Sequence, residues 1–341
     1  MISIFFLWFE VWYNSFWKGG NHVKRIVLCL TIFLVTALLT GCTSKKPVVC
    51  STTYPVSFLV ERIAQDRVTL CNLSEGPIIQ RATMNEDFDE MLDEIDLILS
   101  LGLLEPYMEM YRSDIRSARV DLIDLSARSS IYDFKRFTTI MVSNSEVVLE
   151  SSYYEGIVFD TIDTYEKDPV VWMDAVAMTS MARIIKDWLV EKFPEDATFY
   201  ESNYASLESE LARLDAEYQI MKLRRQDIKF VSITPSFGNW QKAYGVSVYP
   251  IILSRYGVIP SGAQLEIIKQ RIVDDGVKYI AFEPNLSEEL REFYNNIKDE
   301  LELTQINLHN LHTLTQNDLE GNKNYISIMY ENLSILEAIA E

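Results

Sequence analysis

Six residues near the middle of the chain, Tyr204, Leu207, Leu211, Leu214, Tyr218 and Met221, recur at intervals of 3, 4, 3, 4 and 3. That spacing lays all six along one stripe of an α-helix. Extended over residues 195–225, it predicts a single rod about 45 Å long. A coiled-coil pairing helix is the alternative reading. It is the weaker one, because the seam is short and ends in Lys222, Arg224 and Arg225. A monomer built around one rigid connecting helix is expected.

The sequence on either side has a different rhythm. Strand-like runs at 48–53, 68–73, 95–101 and 120–125 alternate with helical patterns at 55–65, 86–95 and 105–116. Thr83 and Glu86 read as a capping box opening the second of these helices, with Phe88, Met91, Leu92 and Ile95 on its inner face. Residues 147–150 and 156–161 read as a hairpin or meander, and helical periodicity returns from Trp172 to Lys192. Beyond the rod, strands at 228–233, 246–253, 278–282 and 303–308 alternate with helices at 237–244, 262–275, 287–300 and 325–339. Strand–helix alternation implies mostly parallel sheets covered on both faces. The expected architecture is α/β. It has an N-terminal lobe over 48–194, the connecting helix over 195–226 and a C-terminal lobe over 227–341. Ligands in such sheets lie outside the carboxyl ends of the strands, which makes the cleft between lobes the default site.

The N-terminus carries an address. Lys24-Arg25 precede an apolar run from Ile26 to Leu38, which closes in Leu39-Thr40-Gly41-Cys42. Basic, apolar, small, then Cys is the order of a bacterial lipoprotein signal, and the run is too short for a comfortable membrane span. Residues 23–42 are read as the signal, Cys42 as the lipidated residue and 43–47 as a tether. The protein is therefore expected outside the cell, anchored to the outer face of the cytoplasmic membrane. Residues 18–23 can be encoded by AAA GGA GGT AAT CAT GTG, a ribosome-binding site followed by a start codon. Translation is expected to begin at Val23, leaving 1–22 as an untranslated extension. Cleavage before Cys42 removes three basic residues and one acid, taking the net charge from −19 to −21. That balance argues against nucleic acid and against an anionic lipid surface. Cys50 and Cys71 lie in two runs that read as neighbouring strands. They are taken as buried free thiols, with a disulfide as the alternative.

Several segments resemble one family. Asp168-Pro169-Val170-Val171-Trp172-Met173-Asp174 resembles its Asp-Pro-His-x-Trp-x-Asp-Pro motif. Gly102-Leu103-Leu104-Glu105-Pro106 resembles Gly-x-x-x-Glu-Pro, one residue shorter. Phe237-Gly238-Asn239-Trp240 with Ala243-Tyr244-Gly245, and Tyr325, Met329, Asn332 and Leu333, match two further motifs. In order and spacing these resemble the solute-binding lipoproteins of zinc and manganese ABC transporters, over residues 46–341. The resemblance implies two α/β lobes, a backbone helix, an interlobe site of three His and a carboxylate, and a permease and an ATPase as partners.

The ligand positions do not carry the ligands. By resemblance the three histidine positions fall on Gln80, Val170 and Thr234, and the carboxylate falls on or beside His309, with Asn307 and Asn310 within two positions. A valine coordinates nothing, and neutral oxygens hold zinc weakly. His309 and His312 are the only histidines after residue 42, and Glu283 ends a strand at the cleft edge. His309 and Glu283 are the remaining candidates for a divalent cation, zinc or manganese by resemblance only. Gln80 and Thr234 equally suit an uncharged or zwitterionic solute. Tyr54, Trp172 and Trp240 are read as core rather than pocket, and Asp174 as the cap of the helix after Trp172 or the partner of an arginine. No nucleophile–base–orienter set or phosphate loop is visible, so no enzyme is expected. The expectation is a solute-binding lipoprotein with an altered ligand. The alternative is a surface interaction or accessory protein that reuses the fold without binding solute.

Overall fold

Two four-stranded parallel sheets organise the computed structural model, which describes residues 46–75, 81–129, 132–224 and 227–340. Both belong to the second of the two units into which the chain divides, Met1–Lys46 and Pro47–Glu341. The signal, Cys42 and Gln80 lie outside the described residues.

The first half runs β1 (Val48–Ser51), α1 (Tyr54–Ala64), β2 (Thr69–Asn72), β3 (Ser74–Glu75), β4 (Thr83–Met84), α2 (Phe88–Met91), β5 (Leu97–Ser100), α3 (Met108–Ser117), β6 (Asp121–Asp124), β7 (Arg136–Val142) and β8 (Ser145–Ser151). Its parallel sheet has the order β2-β1-β5-β6. Two helices follow, α4 (Ala175–Lys192) and α5 (Ala197–Leu223). The second half runs β9 (Lys229–Ser232), α6 (Asn239–Tyr244), β10 (Ser247–Pro250), α7 (Ala263–Asp274), β11 (Tyr279–Phe282), α8 (Glu288–Glu300), β12 (Thr304–Asn307), α9 (Gln316–Glu320) and α10 (Tyr325–Ala338). Its sheet repeats the same path, β10-β9-β11-β12. In each lobe the first strand therefore sits second, and the winding reverses between the first and third parallel strands.

Helix α5 is the rod expected from the 3–4 spacing. Leu207, Leu211, Leu214, Tyr218 and Met221 are buried along it, while Tyr204 is only partly covered. It packs on α1 and α4 in the first half and on α6 and α10 in the second. Tyr218 Oη donates to the Met329 carbonyl at 2.8 Å. The stripe thus serves one chain, not a coiled-coil partner.

The two cysteines are joined. Cys50 and Cys71 are register partners on β1 and β2, with Cα atoms 4.5 Å apart, and form a disulfide rather than two free thiols. Parallel pairing brings the two residues side by side, a contact that a 21-residue sequence separation conceals. Closing a loop of that size restricts the unfolded chain by about 3 kcal/mol. Urea melts of a Cys71→Ser variant are expected to lose about that much stability. An unchanged midpoint would show that the bridge does not restrain the unfolded chain.

Two local expectations are corrected. Thr83 does not cap a helix: it pairs with Glu75 in the β3–β4 ribbon, and the helix behind it shrinks to α2 followed by a 3₁₀ turn at Leu92–Glu94. Strand pairing overrode a local capping preference. Residues 147–150 pair backward onto β7 rather than forward onto 156–161, which instead contain the 3₁₀ turn Ile157–Phe159. The overlooked signal is Ser143-Asn144. Both residues hold positive φ (49° and 67°), the two-residue hairpin geometry that matches strand twist. Asp174 does cap α4, accepting from the Val176 N–H at 2.8 Å.

Candidate functional site

The switch point of each sheet lies between its first and third parallel strands, and a threonine and a glutamate meet there in both lobes. In the first lobe Thr52, just past β1, donates its hydroxyl to Glu105, whose other oxygen accepts from the Leu101 N–H at 2.9 Å. In the second, Thr234 follows β9 and Glu283 directly follows β11. The Thr234 hydroxyl donates to Glu283 Oε2 at 2.6 Å and its N–H to Oε1 at 3.2 Å. Asn310 Nδ2 adds a third donor at 2.7 Å. Both glutamates are buried, and burial pushes both carboxyls above their usual range, Glu105 to about 7. The hydrogen bonds oppose that rise without cancelling it.

The segment after Asp168 is tied to the second lobe through backbone carbonyls. Asn239 Nδ2 donates to the Val170 carbonyl at 2.9 Å and Trp240 Nε1 to that of Met173 at 2.9 Å. Tyr325 Oη donates to Trp172 O at 2.6 Å, and Trp172 Nε1 to Asn310 O at 2.8 Å. Both tryptophans are core residues, as expected. Asp168 is buried with one bond from the Val170 N–H, and burial raises its carboxyl to about 7. A Cβ on Gly238 would fall 1.9 Å from Asp168 Oδ2, so this close approach requires glycine. Across the lobes, Arg81 donates to Glu289 at 2.9 Å and to the Gly257 carbonyl at 2.5 Å. Sequence reasoning missed Arg81, because nothing in the local pattern marks a long-range ion pair.

Of the positions carried over by resemblance, Thr234 and Glu283 come together and His309 does not join them. His309 is buried with its backbone held on α10: Asn332 Oδ1 accepts from its N–H at 2.9 Å and Asn332 Nδ2 donates to its carbonyl at 2.8 Å. Its Nδ1 accepts from the Leu311 N–H at 2.9 Å, which leaves the proton on Nε2, 3.2 Å from Asp318. Both ring nitrogens are committed. Burial holds its pKa below the ordinary value despite Asp318, and it lowers buried His312 to about 4. The position facing Glu283 is Asn310, because neighbouring residues of an extended segment point to opposite sides. Val170 is buried and supplies only its backbone.

This arrangement can clamp a carboxylate with neutral donors. It does not resemble a zinc site, which needs about four nitrogen, sulfur or carboxylate ligands. Among the described residues no group of three or more His, Cys, Asp or Glu side chains is placed to hold a metal ion. The Glu283 oxygens already accept three hydrogen bonds.

Comparison with known proteins places this geometry in context. Residues 48–339 match the family described as zinc-uptake complex component A, periplasmic (ZnuA). The zinc-binding lipoprotein AdcA of Streptococcus pneumoniae is 28% identical over 173 residues, 51% of this chain and 34% of that protein. The match thus spans about a third of that curated relative's length. The high-affinity zinc uptake protein ZnuA of Paracoccus denitrificans is 27% identical over 109 residues, 32% of this chain and 33% of that protein. Among solved structures, the periplasmic zinc-binding protein TroA of Treponema pallidum superposes with a TM-score of 0.66 at 20% identity, covering 86% of this chain and 99% of that one. Likeness at that identity speaks for the shared two-lobed fold.

Proposed function

This chain belongs to the family of periplasmic zinc-uptake complex components, and from that premise we propose that it is the solute-binding component of a metal-type ABC importer whose cleft has exchanged zinc ligands for neutral hydrogen-bonding groups. The observation that carries the reading is the Thr234–Glu283–Asn310 cluster. By resemblance a hydroxyl, that of Thr234, stands at one of the family's ligand positions and an amide, that of Asn310, beside another, and both are spent on Glu283. With Val170 at a third, the remaining chemistry suits a weakly held cation or an uncharged solute. Such a receptor hands its cargo to a permease driven by an ATPase and performs no catalysis.

The Cys50–Cys71 bridge supports an extracytoplasmic location, since disulfides persist in oxidising compartments. A lipid on Cys42 tethers the body there as a monomer. The second reading, a surface interaction protein on a retired receptor fold, draws support from the interlobe bonds at Arg81 and Asn239, which join the two lobes directly through protein groups.

Calorimetric titration of the mature chain with zinc and with manganese tests the proposal. No saturable binding tighter than about 10 μM is expected, and correspondingly little thermal stabilisation. One-to-one zinc binding in the nanomolar range would refute it.

A further inference from the structure

A cavity of about 610 Å³ is lined by residues 133–135, 152–156, 159–160, 164–167 and Leu253. It shares no residue with the Glu283 cluster, and its volume falls in the range of small-molecule sites. Its floor is aromatic. Phe134 packs against Tyr153 with centroids 5.0 Å apart and edge-on to Tyr165 at 5.7 Å. The walls are fastened to the end of β10 and to the segment beyond it: Tyr154 Oη donates to the Pro250 carbonyl at 2.9 Å and Tyr165 Oη to the Arg255 carbonyl at 3.2 Å. Those two hydroxyls are used in the framework, so what the rings have left to offer is carbon and π surface.

The charges are lopsided. Both lysines of the lining sit against Asp133: Lys167 is bonded to it, and Lys135 lies 4.0 Å away. Glu155, Asp160 and Glu166 form no ion pair or side-chain hydrogen bond among the described residues, although Glu166 lies near enough to Lys167, and Glu155 to Arg271, to help raise both cations. A cavity with unspent carboxylates at its rim and aromatic rings beneath favours a cation that also has a carbon skeleton. An inorganic anion is opposed by the lining and by the net charge of −19. A bare metal ion is a poor match, because these carboxylates are not gathered into a metal-holding group.

We propose that this cavity binds a small organic ammonium ion, its charge held by Glu155, Asp160 and Glu166 and its carbon skeleton over the Phe134–Tyr153–Tyr165 floor. The site is independent of the interlobe cluster, so its ligand and the importer's cargo bind separately.

Titration of the full mature chain with choline and with putrescine, in salt near 0.15 M to screen loose charge attraction, tests this. The neutral isostere 3,3-dimethyl-1-butanol is the reference. Saturable binding of at least one ammonium probe is expected, with at least about tenfold weaker binding of the neutral compound, a cost of about 1.4 kcal/mol. A Glu155→Gln/Asp160→Asn/Glu166→Gln variant alters only exposed side chains and is expected to fold and to lose about tenfold in affinity. A Glu191→Gln/Glu201→Gln/Glu217→Gln variant removes the same charge elsewhere and is expected to bind like the parent. The proposal is overturned if neither ammonium probe saturates, if the neutral isostere binds equally, or if both triple variants lose affinity alike.

Discussion

Zinc binds tightly to a variant carrying Gln80→His, Val170→His, Thr234→His and Asn310→Asp, and at least about a thousandfold more weakly to the parent: that is the result expected from placing three imidazoles where the resemblance puts the family's histidines, and a carboxylate beside His309. The apo variant is destabilised for identifiable reasons. Thr234→His removes the hydroxyl bond to Glu283 and leaves only the backbone N–H bond. Asn310→Asp replaces an amide donor by a second carboxyl beside Glu283, and like charges there resist joint ionisation. The bond from Asn239 to the Val170 carbonyl survives, since it involves the backbone. Asn239 Oδ1 is buried with no hydrogen-bond partner among the described residues. Zinc at about a thousand times its Kd then raises the variant's stability by about 4 kcal/mol. Calorimetry and melting curves with and without zinc check this. Equal zinc affinity in parent and variant would mean that the parent's cleft never lost its grip.

The second large effect is a pH dependence. Glu105 is buried, and its carboxyl is pushed from 4.5 up to about 7, chiefly by loss of water. A raised carboxyl pKa means that the folded state holds a proton the unfolded chain has released. Its stabilising contribution is complete below the ordinary pKa and disappears as pH rises through about 7. Asp168 acts in the same direction, also at about 7. His312, lowered to about 4, acts oppositely: its contribution is complete above its ordinary pKa of 6.5 and is lost as pH falls through about 4. The whole-protein profile is therefore composite, and a variant isolates one component. In Glu105→Gln the amide oxygen can take the Leu101 N–H and the amide nitrogen can donate to the Thr52 hydroxyl. The parent should lose about 2 kcal/mol more than this variant between pH 5 and pH 7.5. Urea melts at both values measure it, and parallel losses would mean that Glu105 is ionised in the folded protein.

Much of this architecture was legible because it repeats. The stripe on α5 has a long period and a single answer, and the strand–helix alternation fixed both sheets to within a few residues. What stayed hidden depended on partners distant in the chain. The bridge between Cys50 and Cys71 exists because β1 and β2 run in register. Thr83 looked like a cap and became a strand because Glu75 lay opposite. In the site, Thr234 and Glu283 meet, whereas His309 and Asn310 differ by one residue and point to opposite sides. Asn332 anchors the His309 backbone and Trp172 the Asn310 carbonyl, and with the segment so held it is Asn310 that meets Glu283. A motif fixes a position to within two residues; an extended chain changes side at every one.

The threonine–glutamate pair at each switch point also bears on how such a protein ages. Each half closes its own strand ends with groups that belong to the polypeptide. A substitution at a cleft position outside these two pairs therefore leaves the closure of both sheets in place.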